Sequence, residues 1–563
     1  MPELDNYAVA GLLEELGTRL ELTGDSPFKV RAYFAAAESL RTLEEPLASL
    51  IATRRLKDIP GVGGAITEKI LVLHRTGTHP RLDQLRAEVP DKLLELTRVP
   101  GLGAKRVRHL REVLGIGDVD ALEAALRAGR VAKLKGFGEK LQAKLLDGVG
   151  AYRRASQLLL MPQADALMEA ACAQLRAWAG VQEVCPAGEV RRRCEVVSQL
   201  SAVVAAGAPG KLPARAGPDE AVRVTAADAA HLGLALLYET GSAAHLAALE
   251  ARAQAAGLRL SREGLFRGDR PLPVSAEREI YAALKLPFIR PEWREGRGEL
   301  EAAEAGRLPR PLDASDVVGV LHCHSRYSDG LSGIPELAAA AQRLGLRYLG
   351  IADHSQSAFY AGGLREDAIY AQHEEIDKLN EGFAREGADF RLFKGIESDI
   401  LPDGALDYPG RVLVLFDFVV VSIHSQFNLD RERQTERMVR AVSHPAATML
   451  GHPTGRLLRR REGYALDVER VLEACARHGV AVELNAHPER LDLDWRWHAR
   501  AVELGIKISI NPDAHSTGEL AHFRYGLDIA RKGRVPSESL LNSLDAEALD
   551  KYFQRRKPTR GTG

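Results

Sequence analysis

From about residue 312 onward, short apolar runs end repeatedly in a residue able to bind a metal ion. These residues are His322 and His324 in VLHCHSRYSDG, Asp329 in the same loop, His354 in LGIADHS, Glu397 in FKGIES, His424 in VVVSIHS, His452 in TMLGHP, and Asp513 and His515 in NPDAHS. A run such as VVGVL or FVVVSI, followed by a helical stretch of polar, Ala and Leu residues, reads as a βα unit. Repeated about seven times, the pattern predicts a (βα) barrel, whose chemistry sits on loops at the carboxyl ends of its strands. Residues two apart on a strand point to one face, so His322 and His324 can grip a common ion while Cys323 turns away into packing. A lone His at a strand end is ordinarily a hydrogen-bonded core residue, but a series of nine ligand-type residues is hard to read that way. Imidazole and carboxylate without a Cys cage suit Zn, Mn or Fe, and the set exceeds what one tetrahedral ion needs. Two or three ions are expected. His444, His487 and His498 follow strands less cleanly and stay outside the set.

The series HCH, D, DH, E, H, H and DAH resembles the polymerase-and-histidinol-phosphatase (PHP) family over roughly residues 312–550, with all nine of its metal positions filled. The resemblance implies phosphoester hydrolysis by up to three metals. Clustered divalent ions support that chemistry independently, because they polarise a phosphoryl group, lower the pKa of a water and stabilise the leaving oxygen.

At 563 residues the chain is too long for one ordinary domain, and three or four are expected. Its five cysteines are odd in number and scattered, which argues against a disulfide framework and a Cys zinc site. No apolar run approaches a membrane span, and the start MPELDNY lacks the basic region of a signal peptide. The expected setting is cytoplasmic, with no membrane partner. A net charge of −1 hides local asymmetry, so partners must be read from patches.

The first 150 residues carry such patches around a repeated turn: LKDIPGVGGAITEKI, LTRVPGLGAKRVRHL and LKGFGEKLQAKLL. Each resembles a helix-hairpin-helix motif, with glycines at Gly61 and Gly63, Gly101 and Gly103, and Gly136 and Gly138. In that motif glycine lets backbone amides approach a phosphate at a helix amino end, binding the strand without reading bases. Lys105, Arg106, Arg108 and Arg111 reinforce the second hairpin, and Lys140 and Lys144 follow the third. One GxG is an ordinary turn between packed helices. Three in tandem predict DNA-backbone binding with strong salt dependence.

The order of the pieces resembles the bacterial family X DNA polymerases over nearly the whole chain. It predicts a small helical DNA-binding, lyase-like domain (1–80), fingers with helix-hairpin-helix motifs (81–155), an α+β palm and thumb (156–305) and a distorted (βα)7 PHP barrel (306–563). The resemblance implies gapped, nicked or broken DNA as partner, with association to the nucleoid through that DNA. Lys69 falls where some relatives form a Schiff base with a baseless sugar; the alternative is a lysine that contacts phosphate.

The palm departs from the family pattern. Where the family has GSxRR, this chain reads Gly188, Glu189, Val190, Arg191 and Arg192, and the DxD pair is occupied by Gln199 and Ser201. Counting back from the YxTGS segment, here Tyr238, Glu239, Thr240, Gly241 and Ser242, places the third acidic position on Arg223. Nucleotidyl transfer needs carboxylates to hold magnesium, and Gln, Ser and Arg supply none. Magnesium is expected only for residual polymerase activity, and the tyrosine-to-serine segment reads as a nucleotide-binding remnant. The stretch 203–230 reads as Ala-rich and irregular, 290–311 as a charged linker into the barrel, and QRRKPTRGTG as a disordered basic tail. Three functions remain: a repair nuclease on a polymerase scaffold, an active gap-filling polymerase with PHP proofreading, and a noncatalytic DNA-binding scaffold.

Overall fold

The computed structural model describes residues 4, 6–41, 47–59, 61–207, 212–358 and 361–555. Pro60, most of the opening MPELDNY and the basic tail from 556 on lie outside them. The chain divides into two compact units, Met1–Gln157 with Gly330–Ser332, and Leu158–Asp329 with Gly333–Gly563. Among the described residues no helix is long and apolar enough to cross a membrane.

The first unit is helical, with one apolar core around Leu13, Leu16, Ile70 and Leu73 and another around Leu96, Val107, Leu110 and Leu145. Each of its three predicted glycine turns leads into a helix, although a turn segment rather than a helix runs directly into the third. Gly61, Gly101 and Gly136 take φ of +75°, +88° and +90°, a backbone region that side chains avoid. The helices Gly64–Thr76, Ala104–Leu114 and Gly138–Ser156 start just after these turns.

The second unit begins with a four-stranded sheet built from β1 (Val181–Ala187), β2 (Leu200–Ala206), β3 (Arg215–Ala216) and β4 (Val222–Ala227), in the order β1, β2, β4, β3. The described part of 203–230 thus contains regular strand at 203–206, 215–216 and 222–227, where the sequence had suggested irregular structure. Strand β2 is buried along its whole length and contacts both the helix Met161–Arg176 and the helix Leu232–Thr240. Small alanines suit so crowded a strand, and their lack of alternation is what hid it. A three-stranded antiparallel sheet follows, β5 (Arg259–Ser261), β6 (Gly264–Arg267) and β7 (Arg270–Leu272).

The first part of 290–311 is likewise not a free linker, since it holds the 3-10 turn Pro291–Trp293 and the helix Glu299–Glu304, while 305–311 forms no helix or strand. Trp293, Arg294 and Glu299 are buried. Most of their polar groups are matched: Arg294 pairs with Glu277, Glu299 accepts from His245 Nδ1 at 2.7 Å and from the Gly296 amide at 2.8 Å, and Trp293 Nε1 donates to the Arg531 carbonyl at 2.6 Å, while Arg294 Nη2 is buried with no hydrogen bond among the described residues. Paired charges tolerate burial, so a segment that reads as hydrophilic packs inside.

The barrel consists of seven parallel strands in chain order: β8 (Gly319–Val320), β9 (Tyr348–Ile351), β10 (Arg391–Asp399), β11 (Phe418–Ser422), β12 (Met449–Leu450), β13 (Ala481–Asn485) and β14 (Ile508–Asn511). It closes between first and last strands through a Cys323–Ala514 bridge, where the His324 amide donates to the Ala514 carbonyl at 2.8 Å. Tyr348, Phe393, Phe418 and Met449 fill an inner core with Phe553 from the last helix. A Cβ on Gly395 would stand 2.2 Å from the Phe418 ring, so this close approach requires glycine. Charged pairs weld the barrel to the palm: Arg193 bridges Asp165 (2.6 Å) and Asp528 (2.6 Å), and Lys532 joins Glu295 and donates to the Arg192 carbonyl at 3.0 Å.

Candidate metal centre

The nine predicted residues meet at the carboxyl ends of the barrel strands. His322 and His324 lie just past β8, His354 past β9, Glu397 inside β10, His424 past β11, His452 past β12, and Asp513 and His515 past β14. Three overlapping groups form, each with one ligand atom per residue within 4.8 Å of the others: His324, Asp329, His354 and His515; His322, His324 and Glu397; and His354, Glu397 and His424. His452 Nε2 joins at 2.9 Å from Glu397 Oε1, and Asp513 Oδ1 at 3.0 Å from His324 Nε2. His322 and His324 are not on the strand proper, but the expected alternation persists, and Cys323 packs in the barrel's apolar core. His452 (φ +23°) and Asp513 (φ +53°) adopt backbone angles unfavourable to side chains, a strain often stored at functional sites.

The fit to metal is tested by groups left over. His324 Nδ1 and His452 Nδ1 are buried and make no hydrogen bond among the described residues. Such atoms are costly unless a ligand takes them. Burial opposes charge on His322, yet Glu483, Glu397 and Asp513 hold its pKa well above the usual histidine range. Burial also opposes charge on Glu397, but His424, His322 and His354 hold it well below the carboxylate range. His324 goes the other way, down to about 3, through burial and the neighbouring His515 and His354. Negative carboxylates and a nitrogen kept free of protons form a donor set suited to a divalent cation.

Three acidic residues outside the predicted set lie around it, and two of them hold its histidines directly. Glu483 accepts from His322 Nδ1 at 2.7 Å and from the His452 amide at 2.7 Å. Asp399 takes His424 Nδ1 at 2.5 Å. In both cases the carboxylate fixes the imidazole tautomer and leaves Nε2 as the ligand atom. Asp353, its pKa raised to about 6 by burial, accepts from the Ser325 amide at 2.7 Å and from Gln372 at 2.6 Å. The available signal was local: Asp353 precedes His354, Asp399 follows Glu397 by two, and Glu483 lies in AVELN, an apolar run to which no ligand had been given. Replacing Glu483 with Gln is expected to lower metal affinity about 10- to 100-fold, measured by titration with Mn or Zn, with folding unchanged by circular dichroism. Unaltered affinity would remove Glu483 from the site.

The hairpins present their backbone outward. Gly61, Gly63, Gly101, Gly103, Gly136 and Gly138 are exposed, as are Lys105, Arg106 and Lys140. A Cβ on Gly103 would meet nothing within 4 Å, so Gly103→Val tests backbone approach without disturbing packing. A fragment of residues 1–157 is expected to bind gapped DNA with little sequence preference and a steep loss with salt, and Gly103→Val to weaken it; fluorescence anisotropy across salt concentrations measures both. Salt-independent binding would contradict this role. Lys69 lies on the second helix of the first hairpin, its ammonium donating to the Ala65 carbonyl at 3.1 Å.

In the palm, Ser201 and Arg223 are direct neighbours across β2 and β4. Arg223 pairs with Glu239, which Arg262 also approaches at 3.2 Å. Glu189 accepts from the Ser198 amide at 2.5 Å and the Gln199 amide at 3.2 Å. Arg191 grips Glu277 at 2.9 and 2.5 Å, and Arg192 donates to the Thr240 carbonyl at 2.7 Å and to Glu295 at 3.0 Å. The remnant segment is not one turn. Tyr238 and Thr240 end the helix Leu232–Thr240, Gly241 breaks it, and Ser242 caps the helix Ala243–Ala255 by accepting from the His245 amide at 3.1 Å.

Comparison with known proteins agrees with this layout. A helix-hairpin-helix domain matches residues 4–79, a SAM-like helix-hairpin-helix tandem 93–149, a DNA polymerase beta thumb 235–295 and a PHP domain 321–487. A DNA polymerase/3'-5' exonuclease PolX of Bacillus subtilis is 32% identical, covering 97% of this chain and 98% of its own. The chain belongs to the bacterial family X DNA polymerases that carry a PHP domain. Probable phosphatases of Caldanaerobacter subterraneus (27% identical, 43% of this chain, 93% of theirs) and Edwardsiella ictaluri (29%, 42% and 94%) are also similar. The PHP match ends before Asp513 and His515, so within this family X chain it is the barrel geometry that brings those two residues to the others.

Proposed function

We propose that this family X protein binds gapped, nicked or broken DNA through residues 1–155 and hydrolyses it from the 3′ end in the barrel, 306–563, while the palm and thumb, 156–305, have weak or no polymerase activity. The observation that carries this reading is the convergence of nine ligand-type side chains at one end of the barrel. His322, His324, Asp329, His354, Glu397, His424, His452, Asp513 and His515 would hold two or three divalent ions, Mn or Zn. When bound, such ions polarise the phosphoryl group and stabilise charge on the leaving oxygen. The protein's own part is positional: Glu483 and Asp399 set the histidine tautomers, and burial keeps competing water from most ligand atoms.

Lys69 serves here as a phosphate contact, and borohydride trapping on baseless DNA would reveal a Schiff-base role instead. The function is tested by incubating the full chain with a gapped duplex labelled at the 5′ end of the primer strand in Mn, Zn or Mg, with and without nucleotides. Shortening from the 3′ end that requires metal but no nucleotide supports the reading. Extension without shortening overturns it.

A further inference from the structure

Two loops meet at the mouth of the barrel beside the candidate metal centre. One follows His424 and carries Phe427; the other follows His452 and carries Arg459, Arg460, Arg461 and Tyr464. The Phe427 and Tyr464 rings stack at 14°, with centroids 6.2 Å apart. The Arg461 guanidinium lies 4.4 Å from the Phe427 ring centre. It is held there, because Nε and Nη2 both donate to the Gly455 carbonyl, at 3.2 and 2.8 Å. Gly455 sits at φ +61°, and a Cβ there would stand 2.4 Å from the Tyr464 ring, so the loop closes only with glycine. Arg459 reaches Gln163 at 3.0 Å and Arg460 pairs with Glu489 at 3.2 Å, whereas Arg461 faces the aromatic stack.

Partial burial and the nearby Arg490 hold the pKa of Arg461 below the usual arginine range. Arg490 in turn stands 3.7 Å from Asp513, one of the nine candidate ligands. Two guanidinium groups kept close together repel each other, and an anion between them relieves that repulsion. A flat guanidinium also offers a stacking surface to a base, and its donors match phosphate. The Phe427 ring and the two bonds to Gly455 hold its plane, and such a stacking platform tolerates any base.

We propose that Arg461, stacked on Phe427 and Tyr464 with Arg490 alongside, forms a ledge that takes one base and phosphate of single-stranded DNA next to the bond being cleaved. The ledge rests on the reading of the barrel as a DNA phosphodiesterase, and it deepens that reading by naming what selects a polynucleotide end over a small phosphoester.

The test compares hydrolysis of a single-stranded oligonucleotide and of bis(4-nitrophenyl) phosphate in Mn, by the full chain and by Phe427→Ala, Arg461→Ala and Arg461→Lys. For the alanine variants KM for the oligonucleotide is expected to rise about tenfold with kcat nearly kept, the size of one lost base stack. Any loss on the small diester is expected to be much smaller. Arg461→Lys keeps the charge but not the plane, and recovers only part of the defect. In a His322→Ala background, 2-aminopurine near the 3′ end is expected to be quenched on binding and to brighten when Phe427→Ala is added. Equal losses on both substrates, or an unchanged oligonucleotide KM, would overturn the ledge while leaving the barrel's activity standing. Failure of the unaltered protein to cleave either substrate would overturn the underlying reading, and the ledge with it.

Discussion

Replacing His322 and His324 together with alanine is expected to abolish metal-dependent shortening of DNA while leaving DNA binding nearly intact. The two imidazoles are fully buried and sit in two of the three overlapping ligand groups, so their loss strips donors from more than one ion position at once. Metal polarisation supplies several kcal/mol of transition-state stabilisation, and ~4 kcal/mol already corresponds to about a thousandfold in rate. DNA binding is expected to persist because the exposed hairpin glycines and basic side chains lie in the first unit, with cores of their own. Single-turnover digestion of a 3′-labelled duplex measures the first effect, anisotropy the second, and circular dichroism confirms folding. Undiminished digestion by the double variant would remove the barrel as the nuclease.

Template-directed extension is expected to be absent or very slow when the nuclease is silenced by His322→Ala, which keeps degradation from masking synthesis. Ser201 lies beside Arg223 across neighbouring strands, so a cation stands next to a position where a metal-binding carboxylate would be needed. Arg223 is engaged by Glu239, and Glu189 is held on the Ser198 and Gln199 amides. Arg191 and Arg192 spend donors on Glu277, Thr240 and Glu295. Restoring Gln199→Asp and Ser201→Asp is not expected to rescue synthesis while Arg223 and Glu189 remain, because a fixed positive charge opposes a divalent ion. Primer extension on a gapped template, in Mg and in Mn, gives the answer. Robust incorporation would place the catalytic carboxylates elsewhere, with Asp219, Glu220 and Asp228 the residues to replace first.

The barrel and the clustering of its candidate ligands were legible in the sequence because a βα repeat puts chemistry at a fixed place, the end of each apolar run. His354, His424 and His452 could be picked out one strand at a time. The hairpins were legible because glycine at Gly61, Gly101 and Gly136 answers a local demand for positive φ.

What only the tertiary structure decided depends on contacts between residues far apart in the chain. Glu483 is an ordinary acid in AVELN until folding sets it against His322, 161 residues away, and Arg461 is one basic residue in a run until Phe427 and Gly455 fix its plane. The segment 290–311 reads as a linker because its charges are visible in sequence and their partners are not. Once Arg294 meets Glu277 and Glu299 meets His245, the same residues belong to the interior. Local pattern encodes where a side chain points along its own element, but whether a charge is paired, and therefore whether it can be buried or used, is settled by what the fold brings beside it.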